Sequence, residues 1–591
     1  MNNLIQIFEN SVNKNPNGEC FRFAEGGQWR SLNWSQVRVL VQDLAGGLAS
    51  LGVAKGDRIC ILSRVRYEWT VSDLATLALG AVVVPIYESN TSEQAQYILN
   101  DCKAKVVIVE NKAQLQKVLA VRSDLPNLQS VVVIDGATEG QSQVYKFTDV
   151  LGKGRDTGSK VYTTGLESLT PNDLATIVYT SGTTGNPKGA ILHHDNLLSA
   201  IEGGSTVLEF RSSMVGLLFL PLAHILGRVT QFYQLANGFV HAYAESIEKL
   251  VDNIKTQSPH FMVSVPRIFE KIYAKTLQNV ENSTPIKKGL FHWALAVGQE
   301  WQKAELQGEP KTFGLKFKHR LAHVLVFKKL IDKLGGRIEF FVSGGAPLSP
   351  EVANFFSAFG VKILEGYGLT ETTAANAVNR FDLIKAGSVG SPLPGVEMKI
   401  AEDGEILIKG RCVFHGYFGN EQATKEAIDA DGWFHSGDIG EFDADGYLKI
   451  TDRKKDIIIT AGGKNVAPQN IENMIKNDPM ISQVVIHGDK RKFLSALVTL
   501  DRDEIERYAK AHNITFATYD DLVKQQPIYS MIQKRIEDKN GQLARYETIK
   551  KFAILPNDFS VESGELTPTL KVKRKVINER YRAIFDSFYG A

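Results

Sequence analysis

The densest chemistry in the chain is the run Tyr179-Thr180-Ser181-Gly182-Thr183-Thr184-Gly185-Asn186-Pro187-Lys188-Gly189. Its three glycines let backbone N–H groups approach an anion closely. Thr180, Ser181, Thr183 and Thr184 add hydroxyl donors, and Lys188 adds a positive charge. Together these suit a polyphosphate. The run is not a Walker A loop, which needs Gly-Lys-Ser/Thr, whereas Lys188 stands between Pro187 and Gly189. A flexible Ser/Gly surface loop is the plainer reading, but such loops rarely set this density of donors directly after an apolar, strand-like run such as Leu174–Tyr179. A helix-like segment is expected after the loop.

A loop of this kind needs rigid elements beneath it. Val37–Leu51 has helical spacing. Arg58–Leu62, Lys105–Glu110, Gly216–Leu220, Phe261–Val263 and Glu339–Val342 are short apolar runs of the kind buried parallel strands use. This alternation predicts an α/β fold: a large N-terminal domain with two largely parallel sheets. After about Ala386 the texture changes. Val396–Ile400 and Glu405–Ile408 flank Asp403-Gly404, and Asp431-Gly432 and Asp445-Gly446 are further turn pairs, so a small antiparallel β subdomain is expected at about 386–451. Strand-like Gln483–Ile486 and Ala496–Leu500 lie in a charged, mixed stretch. They predict a small α+β C-terminal domain at 454–591, after the larger domain at 1–453.

Bulk properties narrow the classes. The 591 residues exceed one ordinary core. Hydrophobic residues make up 43% and charged residues 23%, a globular composition, and the net charge of +2 gives no global pull toward nucleic acid. Cys20, Cys60, Cys102 and Cys412 are too scattered for a zinc site or disulfide framework, which fits a reducing cytoplasm. Neither a signal peptide nor a membrane span is expected: the N-terminus lacks a basic region, and the longest apolar stretch, about Leu74 to Tyr87, is short and contains Pro85.

The phosphate loop resembles the core motif of the adenylate-forming superfamily, which includes acyl-CoA synthetases, nonribosomal peptide synthetase adenylation domains and firefly luciferase. Further motifs follow in that superfamily's order. They are Phe219-Leu220-Pro221-Leu222-Ala223-His224, Ser343-Gly344-Gly345-Ala346-Pro347-Leu348, Glu365-Gly366-Tyr367-Gly368-Leu369-Thr370-Glu371-Thr372, Gly432-Trp433-Phe434-His435-Ser436-Gly437-Asp438 and Lys449-Ile450-Thr451-Asp452-Arg453-Lys454-Lys455-Asp456. Glu565-Leu566-Thr567-Pro568-Thr569-Leu570-Lys571 resembles the final motif, with Leu570 where glycine is usual. The resemblance spans 177 to about 575.

The resemblance implies a reaction and a set of roles. A carboxylate attacks the α-phosphate of ATP, pyrophosphate leaves, and the thiol of CoA then takes the acyl group. Glu371, with Thr184, is expected to hold Mg²⁺; Thr180 to Gly185 and Lys188 to hold phosphates. Gly344, Gly345 and Ala346 are expected beside adenine, and Glu365, Gly366, Tyr367, Gly368 and Thr370 along the nucleotide. Asp438 and Arg453 are expected at the ribose, His224 at the acyl carboxylate, and Lys571 at the carboxylate and α-phosphate. Taken alone, His224 in its apolar run also reads as a core residue, and Lys571 as part of an exposed basic run with Lys573, Arg574 and Lys575. Lys455 matches the hinge about which the C-terminal domain rotates between the half-reactions. Gly462 and Gly463 are then expected to face the CoA tunnel.

Val265-Pro266-Arg267-Ile268-Phe269-Glu270-Lys271-Ile272-Tyr273 and the long segment to about Gly335 resemble the long-chain fatty acyl-CoA synthetase branch. The expected substrates are a fatty acid, ATP and CoA, with no nucleic acid. Lys311–Lys333 mixes apolar and basic residues; it reads either as a segment lying on a membrane surface or as an amphipathic helix packed on the domain. Two rivals stay open: a fatty acyl-AMP ligase that serves a carrier protein, and a non-catalytic nucleotide or fatty-acid sensor. Chain-length preference, oligomeric state, including a homo-oligomer, and peripheral membrane contact are not legible.

Overall fold

The computed structural model describes residues 2–180, 186–561, 563–567 and 571–590. Five of the expected phosphate-loop residues, Ser181 to Gly185, lie outside the described residues.

Two large sheets form the N-terminal part. In the first, seven strands run in the order Val144–Lys146, Ser130–Val133, Val106–Val109, Arg58–Leu62, Val82–Ile86, Leu174–Thr180 and Lys188–His193. All neighbours are parallel except the last pair. Valine and isoleucine dominate these strands, and each central one is buried on both faces, as parallel sheets require. The second sheet has nine strands. Its parallel middle is Lys362–Tyr367, Phe340–Ser343, Phe261–Ser264, Val215–Leu218, Val240–Tyr243 and Glu19–Glu25.

Two expectations are corrected. The loop is followed not by a helix but by strand Lys188–His193, antiparallel to Leu174–Thr180, with the helix His194–Val207 only after it. The phosphate loop therefore joins the edge strand of the sheet to its neighbour, with Thr180 paired to Lys188 across its base. Asp431-Gly432 is not a strand–strand hairpin either. It turns the chain between helix Glu421–Ala427 and strand Phe434–Phe442, closed by a single bridge from Ile428 to Phe434.

Strands Val396–Ile400, Glu405–Gly410, Phe434–Phe442 and Leu448–Arg453 form the expected antiparallel subdomain, with hairpins at Asp403-Gly404 and Asp445-Gly446. Beyond it, Ile481–His487, Leu494–Leu500 and Ile549–Ile554 make a three-stranded sheet with its own core, including Ile471, Val498, Ile505 and Ile532. The segment between the long-chain motif and Gly335 is helical: Pro266–Glu281, Pro285–Leu306 and Phe313–Lys333, the last interrupted by a π turn at His323–Phe327. Among the described residues no helix is long and apolar enough to cross a membrane.

Candidate functional site

The site is a cleft where strand ends of the second sheet, the antiparallel subdomain and the C-terminal segment converge. Strand Phe340–Ser343 ends in Gly344-Gly345, and the neighbouring strand Lys362–Tyr367 ends in Gly368. Ligands in open α/β sheets sit beyond such carboxyl ends. Gly345 adopts φ +84°, a left-handed conformation that glycine tolerates without strain. Gly368 has no room for a side chain, since a Cβ there would lie 1.4 Å from the Ala374 carbonyl. Glu365 is buried and accepts the Gly387 N–H at 3.1 Å; burial pushes its carboxyl up to about 7, against the N–H donors of Gly387 and Leu348.

Asp438 and Arg453 face one another in register on adjacent antiparallel strands. Arg453 Nε lies 3.1 Å from Asp438 Oδ1, and the Tyr367 hydroxyl donates to Asp438 Oδ2 at 2.7 Å. The carboxylate is only 4% exposed, so an apolar surrounding strengthens both contacts. Three residues from three separate motifs are thus joined into one array.

Glu371 is the middle residue of a short 3-10 turn, Thr370–Thr372, which the left-handed residues Thr373 and Ala374 close. Its Oε1 accepts from the Tyr417 hydroxyl at 2.8 Å, and its carbonyl accepts the Phe414 N–H at 2.7 Å. The Lys188 ammonium sits 5.0 Å from the centre of the Tyr417 ring. Tyr417 therefore bridges the phosphate-loop lysine and the carboxylate expected at the metal. Reading the sequence did not find it: His415-Gly416-Tyr417-Phe418 offers one uncharged hydroxyl, and only the fold shows what it touches.

His224 caps helix Ile225–Asn237, its Nδ1 accepting the Leu226 N–H at 3.1 Å. The proton of the neutral ring is therefore on Nε2. Burial, then the nearby Lys571 cation, lower its pKa to about 3, so the imidazole is neutral. Lys571 comes from the far end of the chain. Its backbone is pinned to Thr567 by two hydrogen bonds, at 2.7 and 3.0 Å. The residue as a whole is exposed, yet its ammonium is surrounded closely enough that burial and Arg453 bring its pKa down to about 8, against the pull of Asp438 and Glu371. One cation thus senses His224, Arg453, Asp438 and Glu371 together.

The residues expected to serve the second half-reaction lie elsewhere. Gly462 and Gly463 form the turn between strands Ile458–Ile459 and Asn465–Val466. Lys455 and Gly463 line a cavity of about 630 Å³ with Thr460, His487, Lys490 and Arg574. No cluster of three or more His, Cys, Asp or Glu groups that would hold a metal occurs among the described residues. A lone carboxylate such as Glu371 still fits Mg²⁺, which is usually held by one or two carboxylates plus the phosphates of its nucleotide.

Comparison with known proteins gives the family and the fold. The model of the AMP-binding enzyme family matches residues 8–418, and that of the AMP-binding enzyme C-terminal domain matches 455–591. A long-chain-fatty-acid–CoA ligase of Mycobacterium tuberculosis is 39% identical over 569 residues, covering 95% of this chain and 93% of that protein. One from Homo sapiens is 33% identical over 620 residues, covering 99% and 85%. Among solved structures, the adenylation domain of a carboxylate reductase from Mycobacterium chelonae superposes with a TM-score of 0.79 at 21% identity, covering 100% of this chain and 91% of that one. At that identity the likeness speaks for the fold.

Proposed function

The chain belongs to the AMP-binding enzyme family, and from that premise we infer that it is a long-chain fatty acid–CoA ligase, converting ATP, fatty acid and CoA into acyl-CoA, AMP and pyrophosphate. The observation that carries this is the convergence of Lys571 with His224, Glu371 and the Asp438–Arg453 pair. It is the arrangement adenylation needs.

In the first step a carboxylate oxygen of the fatty acid bonds to the α-phosphorus while the bond to the bridging oxygen of pyrophosphate breaks. Negative charge shifts onto phosphate oxygens, so preorganised cations contribute most. Lys571 meets the carboxylate and α-phosphate. Neutral His224 donates from Nε2 and adds no second charge that would hold the fatty carboxylate in its ground state. Asp438 accepts the ribose hydroxyls, with Arg453 and Tyr367 holding its two oxygens in place. Glu371, oriented by Tyr417, would hold Mg²⁺, which when bound would supply neutralisation of phosphate charge.

In the second step the CoA sulfur bonds to the acyl carbon, and the bond to the AMP oxygen breaks. No protein nucleophile is needed. Rotation of the C-terminal domain about Lys455 would withdraw Lys571 and bring the Gly462-Gly463 turn to the cleft, a gating motion. Four buried free thiols suit a reducing compartment.

The test is to incubate the protein with ATP, Mg²⁺, CoA and acids of graded length, following acyl-AMP, acyl-CoA and AMP by mass spectrometry. Acyl-CoA peaking at long chains and lost in Lys571→Ala, by about 10²–10³-fold, is expected. Acyl-AMP without acyl-CoA would reject CoA as the acceptor, and no product from any acid would reject the ligase reading.

A further inference from the structure

Residues Phe313–Ala322, His323–Phe327 and Lys328–Lys333 form one continuous helical rod, about 30 Å long at 1.5 Å per residue. One side is packed. Leu315, Ala322 and Phe327 are buried, His319 stacks on Trp301 at 4.1 Å, and Phe327 approaches the Phe359 ring. The step from Leu315 to Ala322 is seven residues, two α-turns. That from Ala322 to Phe327 is five, which the π turn accommodates, keeping the second half of the rod on the same packed side.

The other side is apolar too, and no described residue covers it. Phe313 is 87% exposed, Phe317 63%, Leu321 42% and Val324 60%. Their spacing of four, four and three residues places them on one stripe. Soluble helices turn such a stripe inward; here the inward role is already taken by Leu315, Ala322 and Phe327. The exposed Lys316, Lys318, Arg320, Lys328 and Lys329 surround the stripe, and the sequence from Lys311 to Ile331 holds no Asp or Glu. In a chain with a net charge of only +2 this concentration of cations is local. The rod rests on helix Pro285–Leu306, which packs in turn on Pro266–Glu281 and on Pro350–Ala358, the helix that follows the Gly344-Gly345 turn. The stripe is thus carried one helix layer from the cleft.

We propose that Phe313, Phe317, Leu321 and Val324 seat in the interfacial layer of an anionic lipid bilayer, with Lys316, Lys318, Arg320, Lys328 and Lys329 at its headgroup phosphates. The inference rests on the reading of a long-chain fatty acid as substrate, because a bilayer is where such an acid resides. An apolar stripe framed by cations matches a surface that is apolar beneath and negative above. A protein partner would need a groove of the same two-part character. Docked in this way, the rod holds the enzyme at the membrane while the cleft stays in water for ATP and CoA.

The experiment is flotation of the full chain with vesicles of phosphatidylcholine alone or with about a quarter phosphatidylglycerol. It compares wild type, Phe317→Glu with Val324→Glu, and Lys316→Glu with Lys328→Glu. All four side chains are exposed, so these variants keep the packed face intact. Wild type is expected to float with anionic vesicles, both variants to lose about tenfold or more in partitioning, and Phe317→Trp fluorescence to shift to the blue when anionic vesicles are added. Wild type that stays at the bottom of the gradient, or a Phe317→Glu/Val324→Glu variant that floats as well as wild type, would overturn the proposal. So would concentration-dependent dimerisation lost in the same variant without flotation, which would give the stripe to a second copy of the chain. Ligation of dodecanoate supplied in solution is the separate control. Its absence in wild type that still floats would sink the ligase reading and leave the membrane face standing; its persistence in wild type that does not float would do the reverse.

Discussion

Asp438 and Arg453 are cross-strand partners fifteen residues apart, Nε to Oδ1 at 3.1 Å, and the Tyr367 hydroxyl completes the carboxylate from another sheet. The hairpin that joins them is therefore part of the binding site, because its register fixes which residue faces Asp438. A carboxylate held at both oxygens is oriented before any ligand arrives, and a ribose diol meets it without reorganisation. Asp438→Asn keeps the shape but loses the charge. A hydrogen bond to a charged group is worth about 1.5–3 kcal/mol, so KM for ATP is expected to rise roughly 10- to 100-fold, with the fatty-acid KM little changed. Tyr367→Phe, which removes one orienting bond, is expected to raise it less. Initial rates of pyrophosphate release at graded ATP check both.

The depressed pKa of Lys571 makes a pH prediction whose sign is fixed. Adenylation needs the ammonium form, present below about 8 and lost above it. The kcat/KM for adenylation is therefore expected to fall as pH rises through about 8, since that parameter reports the free enzyme. Bound ATP adds negative charge beside the lysine and favours the cation, so the falling limb of kcat should move to higher pH. His224, at about 3, stays neutral throughout and adds no limb in the accessible range. Lys571→Arg retains a cation at all these pH values and is expected to abolish the limb at lower overall rate. A limb that persists unchanged in that variant would assign it to another group.

The long-chain motif also does something its sequence did not suggest. Arg267 Nη2 donates to Ser482 Oγ at 3.2 Å, and Gln278 Nε2 donates to both Glu504 carboxylate oxygens at 2.8 and 2.9 Å. Both acceptors are on the C-terminal domain, and Ser482 is in turn fixed by its 2.5 Å bond to Asp558. Helix Pro266–Glu281 thus holds that domain in the orientation that delivers Lys571. Removing these bonds with Arg267→Ala and Gln278→Ala shifts the population away from it. Acyl-AMP formation is expected to slow by about tenfold, while acyl transfer from supplied acyl-AMP to CoA is unchanged or faster. Quench-flow measurement of the two half-reactions separates these outcomes. Equal slowing of both would mean the helix stabilises the protein rather than one orientation.

How much of this was legible before the fold was known divides along a physical line. Strands such as Arg58–Leu62 and Val396–Ile400 announce themselves, because burial on both faces or a turn at Asp403-Gly404 is written in adjacent residues. The strand at Lys188–His193 was hidden: its pairing partner sets its conformation, and Gly189-Ala190 has no β propensity of its own. The hairpin Glu19–Asn33 is held by a parallel pairing with Val240–Tyr243, more than two hundred residues away, and no local pattern encodes that. The same holds in the site. Asp438, Arg453, Glu371 and Lys571 carry charge and stood out by their motifs, whereas Tyr417 and Ser482 act through single hydroxyls whose partners only tertiary contact supplies.

A buried ion pair that no local pattern singles out supports the helix that His224 caps. Asp73 and Arg228 are both wholly buried. Arg228 also donates to Thr176 Oγ1 at 2.5 Å, and Gln231 donates to Asp73 Oδ2 at 2.8 Å. Burial pushes the Asp73 carboxyl up, and Arg228 pulls it back down. The network ties helix Tyr67–Ala78, strand Leu174–Thr180 and helix Ile225–Asn237 together, and the last of these is the helix His224 caps. Asp73→Ala leaves a buried guanidinium unpaired and is expected to destabilise by about 3–5 kcal/mol. Asp73→Leu with Arg228→Met removes both charges and should recover most of that loss. Thermal and urea unfolding of the three proteins check the ordering. The repaired double variant has its stability back but no longer fixes the tilt of the helix under His224. Its adenylation rate should therefore stay below wild type, whereas a full return of activity would show that the pair serves packing alone.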